Sequence, residues 1–180
     1  MLEKLLALLG INKTPTVNQN STPEEIEKVF QQRSAHRVEE LNEAMADEDT
    51  PVGHIASLIL NIEMIRYRVL HEANPQETEA RRNELAKEIV QKIRKAPRTT
   101  LEPAGTYEPD VTYVNIMGNM GDGLIILKKE RDKVMVPLLE ELVREFARPG
   151  DGLAAAILNG TYDEDLWEEY ADKAQDSPDF

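Results

Sequence analysis

Four side chains able to bind a divalent metal ion lie close together in the sequence: His36, Glu39, Glu40 and Glu43. Residues four apart share a face of a helix, so these four form two adjacent rows. Carboxylate oxygens suit Mg²⁺ or Mn²⁺, and a metal held there would activate water for hydrolysis of nucleotides or phosphoesters. In that hypothesis Glu39, Glu40 and Glu43 are the ligands, and Glu63 or a histidine completes the site. We favour the alternative of a solvated helix face, because most acidic side chains are exposed.

The spacing of Glu39, Glu40 and Glu43 resembles the Glu-Glu-x-x-Glu pattern of all-α nucleotide pyrophosphatases. Those enzymes carry a second Glu-x-x-Asp pattern on a neighbouring helix. The match in this chain is Glu169-x-x-Asp172, which lies far away in the acidic C-terminal segment. The chain is therefore not assigned to that family.

Three glycines follow a run of strand-favouring residues, at positions 118, 121 and 123. Glycines before a helix can cradle phosphate, but this chain has no Gly-Lys-Ser/Thr sequence, and the glycine spacing is reversed from the dinucleotide pattern. Asn119-Met-Gly-Asp-Gly123 is typical of turns. We therefore predict a hairpin tip here and no nucleotide site.

Polar residues interrupt the most apolar stretch of the chain, residues 51–70, at His54, Asn61 and Glu63. A buried polar group without a partner costs about 1–3 kcal/mol. Glu63 can reach Arg66 or Tyr67 on its own helix, which favours a structural role over a catalytic dyad. The three histidines are scattered, so no Ser-His-Asp arrangement can be identified.

A basic cluster within this acidic chain consists of Lys92, Arg94, Lys95 and Arg98. Cations at the end of a helix interact favourably with the helix dipole, so a structural or solvated role is the interpretation that we favour. The alternative is the docking of an acidic partner or of a neighbouring copy's acidic C-terminal segment.

The C-terminal segment, residues 161–180, combines acidic and aromatic side chains. It holds eight acids against one lysine, a local charge of −7. The acids that we assign to partner binding are Asp163, Glu164, Asp165, Glu168 and Glu169. Leu166, Trp167 and Tyr170 fall on one helical turn, which predicts a helix that enters a partner's groove with a basic rim. We weigh equally the alternative that these three side chains fold back onto the bundle while the acids face water.

The N-terminal segment is a second candidate for partner binding. Leu2, Leu5, Leu6 and Leu9 fall on one face at helical spacing, which predicts a short amphipathic helix over residues 1–10. Residues 11–22 are polar and aperiodic, so we predict a tether there. The first ten residues lack the features of a signal peptide, and we expect them to stay on the mature chain.

Composition excludes several classes of protein. The 180 residues carry 34 acidic and 21 basic side chains, a net charge of −13, which disfavours general nucleic-acid binding and anionic membranes. The chain has no cysteine, so disulfides, thiolate catalysis and cysteine metal sites are excluded. We expect a soluble, cytoplasmic protein with no membrane span and no cofactor.

The predicted elements make a mainly α protein. Cap and proline signals at Thr22-Pro23, Thr50-Pro51 and Asn74-Pro75 open helices at about 23–47, 51–70 and 75–95, which predict an antiparallel three-helix bundle. We predict a small β-hairpin at about 111–127, with a helix continuing from Leu124 as the alternative. Short helices follow at about 137–148, 153–158 and 161–175. The helical domain then spans 23–160, and residues 161–180 form an acidic aromatic helix and tail.

The sequence names no reaction, and we expect a non-enzymatic interaction or assembly protein. It would act as an adaptor or as a structural component of a multiprotein or virion-type complex, docking through its terminal segments onto a protein partner with a basic groove or onto its own copies. The alternatives are the metal-dependent hydrolase described above and an acidic inhibitor that mimics DNA.

Overall fold

A computed structural model describes residues 16–99 and 111–175 of the chain. These ranges contain eight α-helices and no β-strand. The helices are α1 (Pro23–Ala46), α2 (Val52–Ala73), α3 (Pro75–Ala80), α4 (Arg82–Lys95), α5 (Val111–Glu130), α6 (Met135–Phe146), α7 (Gly152–Asn159) and α8 (Glu164–Gln175). The mainly α fold class is confirmed. The predicted amphipathic helix 1–10 and residues 11–15 of the predicted tether lie outside the described residues.

Local sequence signals account for where the first helices begin. The Thr22 hydroxyl accepts the Glu25 amide at 3.2 Å, and the Glu25 carboxylate accepts the Thr22 amide at 2.8 Å, so α1 begins with a capping box. At Asn74 the side chain accepts the Glu77 amide at 3.3 Å. The predicted helix 75–95 is divided in the structure, because α3 ends at Ala80 and α4 begins at Arg82.

The predicted hairpin at 111–127 is wrong, because these residues belong to the single helix α5. The alternative, a helix that continues from Leu124, is right only as far as Glu130. Helix α5 already begins at Val111, and α6 begins separately at Met135. The carboxylate of Asp132 accepts the amides of Val134 at 3.0 Å and Met135 at 2.9 Å. Pro137 lies in the first turn of α6, where its missing N–H is tolerated.

The three-helix bundle is not confirmed as a unit. Helix α1 packs against α2, whereas α4 packs most extensively on α6 and only secondarily on α2. Helix α2 lies between two apolar clusters: Leu60 and Tyr67 contribute to the large core with α4–α7, and Ile62 and Val69 pack against α1. The nearly continuous apolar surface of α2 is explained by this position. None of the helices in the described ranges is both long and apolar enough to cross a membrane.

Helix α5 is the centre of the large core. Its side chains Val114, Met117, Met120 and Leu124 are almost completely buried, and α2, α6, α7 and α8 all pack against it. Close packing on several sides requires apolar or small residues around most of a helix. This requirement explains why the α5 sequence contains many β-branched residues and three glycines while remaining helical.

A buried polar contact joins α5 to the start of α7. The Tyr113 hydroxyl donates to the carboxylate of Asp151, which also accepts the amides of Leu153 at 2.9 Å and Ala154 at 3.1 Å. The guanidinium of Arg148 lies 4.3 Å from the centroid of the Tyr113 ring. Burial, together with the hydrogen bond to Asp151, raises the pKa of Tyr113 well above its usual range.

The basic cluster at the end of α4 is used within the molecule. Lys92 pairs with Glu63 at 2.7 Å, and Arg94 lies 5.5 Å from the centroid of the Phe146 ring. Arg98 donates to the carbonyl oxygens of four residues that end α1 and lead into α2: Ala44, Asp47, Glu48 and Thr50, at 2.7–3.0 Å. Three of these four cations therefore have structural roles and Lys95 is exposed, in agreement with the structural or solvated role favoured from sequence.

Candidate functional site

The acidic residues considered as metal ligands lie on the exposed side of α1. Glu40 accepts from Arg37 at 2.6 Å and lies 3.2 Å from His36, while Glu39 and Glu43 are exposed. The hydrogen bond from Arg37 lowers the pKa of Glu40. In the described ranges, no three His, Asp or Glu side chains are grouped so that they could hold a metal ion.

A polar cleft of about 310 Å³ lies between α2, α5 and α8, and His54 is on its rim. The Ser57 hydroxyl donates to the Gly53 carbonyl at 2.9 Å and accepts from the Asn119 amide at 2.8 Å. Because its proton is committed to the backbone, Ser57 is not arranged as a nucleophile activated by His54. Glu63 lies outside the cleft and pairs with Arg66 and Lys92 at 3.9 and 2.7 Å.

Helix α8 is seated on α5 at two glycines. The Trp167 indole lies so close to Gly118 that a Cβ added there would be 2.5 Å from Trp167 Cδ1. The Tyr162 ring similarly covers Gly121, where an added Cβ would be 2.6 Å from Cε1. The two glycines, which the sequence analysis assigned to a turn, allow aromatic rings to approach the helix backbone.

The other apolar residues of α8 also face the protein. Leu166, Trp167 and Tyr170 are partly buried and pack against the large core, and Ala174 is fully buried. The Tyr170 hydroxyl reaches Gly152 at the start of α7. The structure thus places the three proposed anchor residues against this chain's own core, as in the second of the two alternatives weighed from sequence.

The acids of α8 form a separate, outward surface, which we call the acidic face. It comprises Asp163, Glu164, Asp165, Glu168, Glu169 and Asp172, all of them exposed. Lys173 pairs with Glu169 at 2.5 Å, which raises the pKa of Lys173. In the described part of the chain, no cation pairs with Glu164, Asp165, Glu168 or Asp172.

Tyr162 connects the acidic face to α5. Its hydroxyl donates at 3.3 Å to the Gly118 carbonyl and lies 3.4 Å from the Asp122 carboxylate. Burial raises the pKa of Tyr162, and the negative charges of Asp122, Glu164 and Asp163 raise it further. The first turn of α8 therefore brings its acids to the level of Gly121 and Asp122 along α5.

An exposed apolar pair lies one helical turn farther along α5. Ile125 and Ile126 are 51% and 56% exposed, the highest values for large aliphatic side chains in the described ranges. Beyond them lie Lys129, in the last turn of α5, and Arg131 and Lys133, in the turn before α6. None of the three has an ion pair within those ranges. Lys128, by contrast, pairs with Glu140 at 3.0 Å.

Sequence reasoning did not identify Ile125 and Ile126 as surface residues. The exposed side chains of an apolar run are those on the side of the helix that no other helix covers. Residue types alone do not reveal which side of α5 that is. The one local signal is that the two isoleucines immediately precede Lys128 and Lys129 at a helix end.

The chain matches no protein-family model, no curated protein and no solved structure.

Proposed function

We propose that the protein is a non-enzymatic interaction or assembly component that docks through its terminal segments. The observation that carries this proposal is the acidic face of α8. Within the described residues, Glu164, Asp165, Glu168 and Asp172 have no cation partner, and the Trp167 ring of the same helix is fixed against α5. Charges held on a rigid helix can steer a partner into one orientation without the entropic cost of ordering a loose segment.

The seating of α8 refines the way in which this segment would act. Because Trp167 and Tyr162 pack on glycines of α5, the rings support the helix rather than project from it. The recognition elements are therefore the acids, above all Glu164 and Glu168, which lie four residues apart on one side of α8. A partner of matching chemistry carries lysine or arginine side chains along a groove or ridge.

The leucine-rich segment 1–10 supplies the second part of the proposal. Leu2, Leu5, Leu6 and Leu9 would give an apolar contact in addition to the electrostatic one. Two weak contacts on one chain reinforce each other, because the second forms at a high effective concentration once the first is made.

The test is affinity capture from the native source with the full chain, read by mass spectrometry. Glu164→Gln/Glu168→Gln removes two charges from the acidic face and leaves the rings in place. We expect this variant to recover at least about tenfold less of the partners bound by the original chain, because the steering charges are lost. Leu5→Ser/Leu6→Ser tests the N-terminal contact in the same way.

Glu39→Gln/Glu43→Gln is the matched control, since these two acids are also exposed and four apart on a helix. This variant should retain every partner. The proposal is wrong if all the variants capture the same proteins in the same amounts. Deletion of residues 161–180 is avoided, because it would uncover the core around Gly118 and Gly121.

A further inference from the structure

Charge and apolar character change in order along one side of α5. Asp122, Ile125 and Lys129 are spaced by three and four residues, so they lie in one row, and Ile126 lies beside it. The acids at the start of α8 lie level with Asp122, because Tyr162 packs on Gly121. We call this row, from Glu164 and Asp122 through the isoleucines to Lys129 and Lys133, the α5 strip.

The cations of the α5 strip are unusual for this protein. Most lysines and arginines in the described ranges contact a carboxylate, a carbonyl or an aromatic ring. Examples are Arg33 with Glu72 at 2.7 Å and Lys92 with Glu63 at 2.7 Å. Lys129, Arg131 and Lys133 are exposed and make no such contact with the residues that the structure describes, in a chain whose net charge is −13. They lie close together in the chain at the C-terminal end of α5, with the exposed Glu130 between Lys129 and Arg131.

The α5 strip is self-complementary. Rotation of a second strip by 180° about an axis through the isoleucines brings the acidic end of each copy onto the basic end of the other. The same rotation places Ile125 and Ile126 of the two copies against one another. A contact made twice by the same patch is what closed dimers with two-fold symmetry require. The two isoleucine pairs would then lose water at the centre, with the charge pairs on the rim.

We propose that the α5 strip is the surface through which two copies of this chain associate around a two-fold axis near Ile125 and Ile126. This inference rests on the proposed function, because it specifies one of the partners of an assembly protein. It adds a surface that, apart from Glu164, lies outside the terminal segments. The apolar part of the patch is only two side chains in each copy, so we expect a weak and reversible dimer. Its affinity falls with added salt, since the rim pairs are exposed.

The experiment measures the mass of the purified full chain by sedimentation velocity over a range of concentrations. We expect a monomer–dimer equilibrium that weakens severalfold between about 0.05 and 0.5 M NaCl. In the dimer of Lys129→Glu/Lys133→Glu, acidic side chains face acidic side chains at both ends of the contact. In the dimer of Asp122→Lys/Glu164→Lys, basic side chains face basic side chains at both ends. Each variant alone should dimerise at least about tenfold more weakly than the original chain.

A mixture of the two charge-reversed variants gives the sharpest result. In a mixed dimer both contacts again join opposite charges, so the mixture should recover dimers that neither variant forms alone. Ile125→Ser/Ile126→Ser should weaken the dimer with little change in its salt dependence. Lys28→Glu/Lys95→Glu is the matched control, because both lysines are exposed and without an ion pair in the described ranges. Far-ultraviolet circular dichroism checks that every variant is folded.

Three outcomes would overturn the proposal. The first is a monomer at every concentration, and the second is a dimer that the charge reversals leave unchanged. The third is binding of the basic end to anionic vesicles without self-association, which would assign the isoleucines and lysines to a membrane surface. A monomeric chain whose captured partners still depend on Glu164 and Glu168 would leave the proposed function standing and remove only this inference.

Discussion

Arg98 holds together the end of α1 and the start of α2. Its guanidinium donates to four carbonyl groups, one in the last turn of α1 and three in the residues that follow it. The carbonyls at the end of a helix lack partners within that helix, so a five-donor side chain satisfies several of them at once. Arg98 also has a positive φ of 65°, a conformation that costs a non-glycine residue free energy.

Replacement of Arg98 separates these two contributions. Arg98→Ala should lower the free energy of unfolding by about 1–3 kcal/mol, because it removes the charged donor and keeps the strained backbone. Arg98→Gly should be about 1 kcal/mol less damaging, because glycine tolerates a positive φ. Urea unfolding followed by circular dichroism measures both values.

Arg81→Ala serves as the control for Arg98, since its ion pairs at 3.5–3.8 Å are on the surface. It should change stability by at most about 0.5 kcal/mol. Equal effects of Arg81→Ala and Arg98→Ala would show that the carbonyl contacts of Arg98 do not stabilise the fold. The sequence placed Arg98 in a basic cluster, but its partners are about 50 residues away along the chain, and no local pattern points to them.

At the scale of elements, the seam between α5 and α8 depends on residues without side chains. Alanine is normally favoured over glycine inside a helix by up to about 1 kcal/mol. At Gly118 and Gly121 a methyl group would instead overlap the rings of Trp167 and Tyr162. The cost of this overlap outweighs helix propensity, because two large rings and a helix backbone must move apart.

We therefore expect Gly118→Ala and Gly121→Ala each to lower the free energy of unfolding by about 1–3 kcal/mol. Urea unfolding followed by far-ultraviolet circular dichroism gives the free energies of unfolding to be compared. Gly123→Ala is the matched control: its Cβ would be 3.2 Å from the flexible end of Leu139, so its effect should be close to zero. Stabilisation of the protein by either of the first two variants would contradict the packing described for α8.

The same seam shows what local sequence can and cannot predict about an element. Helix α1 was predicted to within a residue of its observed ends, because the capping box at Thr22 and Pro23 is a local signal. Helix α5 was mistaken for a hairpin, because Val111-Thr-Tyr-Val favours strands and Asn119-Met-Gly-Asp-Gly123 favours turns. The physical reason for those glycines is a contact with Tyr162 and Trp167, roughly 40 to 50 residues later, which local propensity does not register.

For the molecule as a whole, buried tyrosines set the alkaline limit of stability. Burial raises the pKa values of Tyr67, Tyr113 and Tyr162 in the folded state. An unfolded tyrosine loses its proton near pH 10, whereas these three keep theirs, so above that pH the folded state binds more protons than the unfolded state. Stability is therefore unaffected by these groups at neutral pH and falls as the pH rises above about 10.

The expected slope is up to about 1.4 kcal/mol per pH unit for each of these tyrosines. Tyr113→Phe/Tyr162→Phe should reduce the decline between about pH 10 and 11.5, since Tyr67 alone of the three would remain. Free energies of unfolding from urea titrations at several pH values give the slope. A double variant with the slope of the original chain would show that these hydroxyls do not control alkaline unfolding.

The residue types of the candidate site could be predicted from the sequence, but their arrangement in space could not. The acidic character of residues 161–175 follows from counting charges, and the exposure of Glu164 and Glu168 agrees with one of the two alternatives weighed from sequence. The relation between these acids, the isoleucine pair and Lys129 arises because α8 folds back along α5. Only the three-dimensional path of the chain brings them into one strip.

The seating of the indole on Gly118 also gives the protein a built-in optical reporter. Trp167 is the only tryptophan in the chain. Fluorescence excited at wavelengths that tyrosine does not absorb therefore comes only from the contact between α8 and α5. The wavelength of this emission and its collisional quenching report whether α8 is docked on α5. Global unfolding changes both as well, because it also undocks α8. Binding at the acidic face and detachment of α8 can therefore be told apart without attaching a dye.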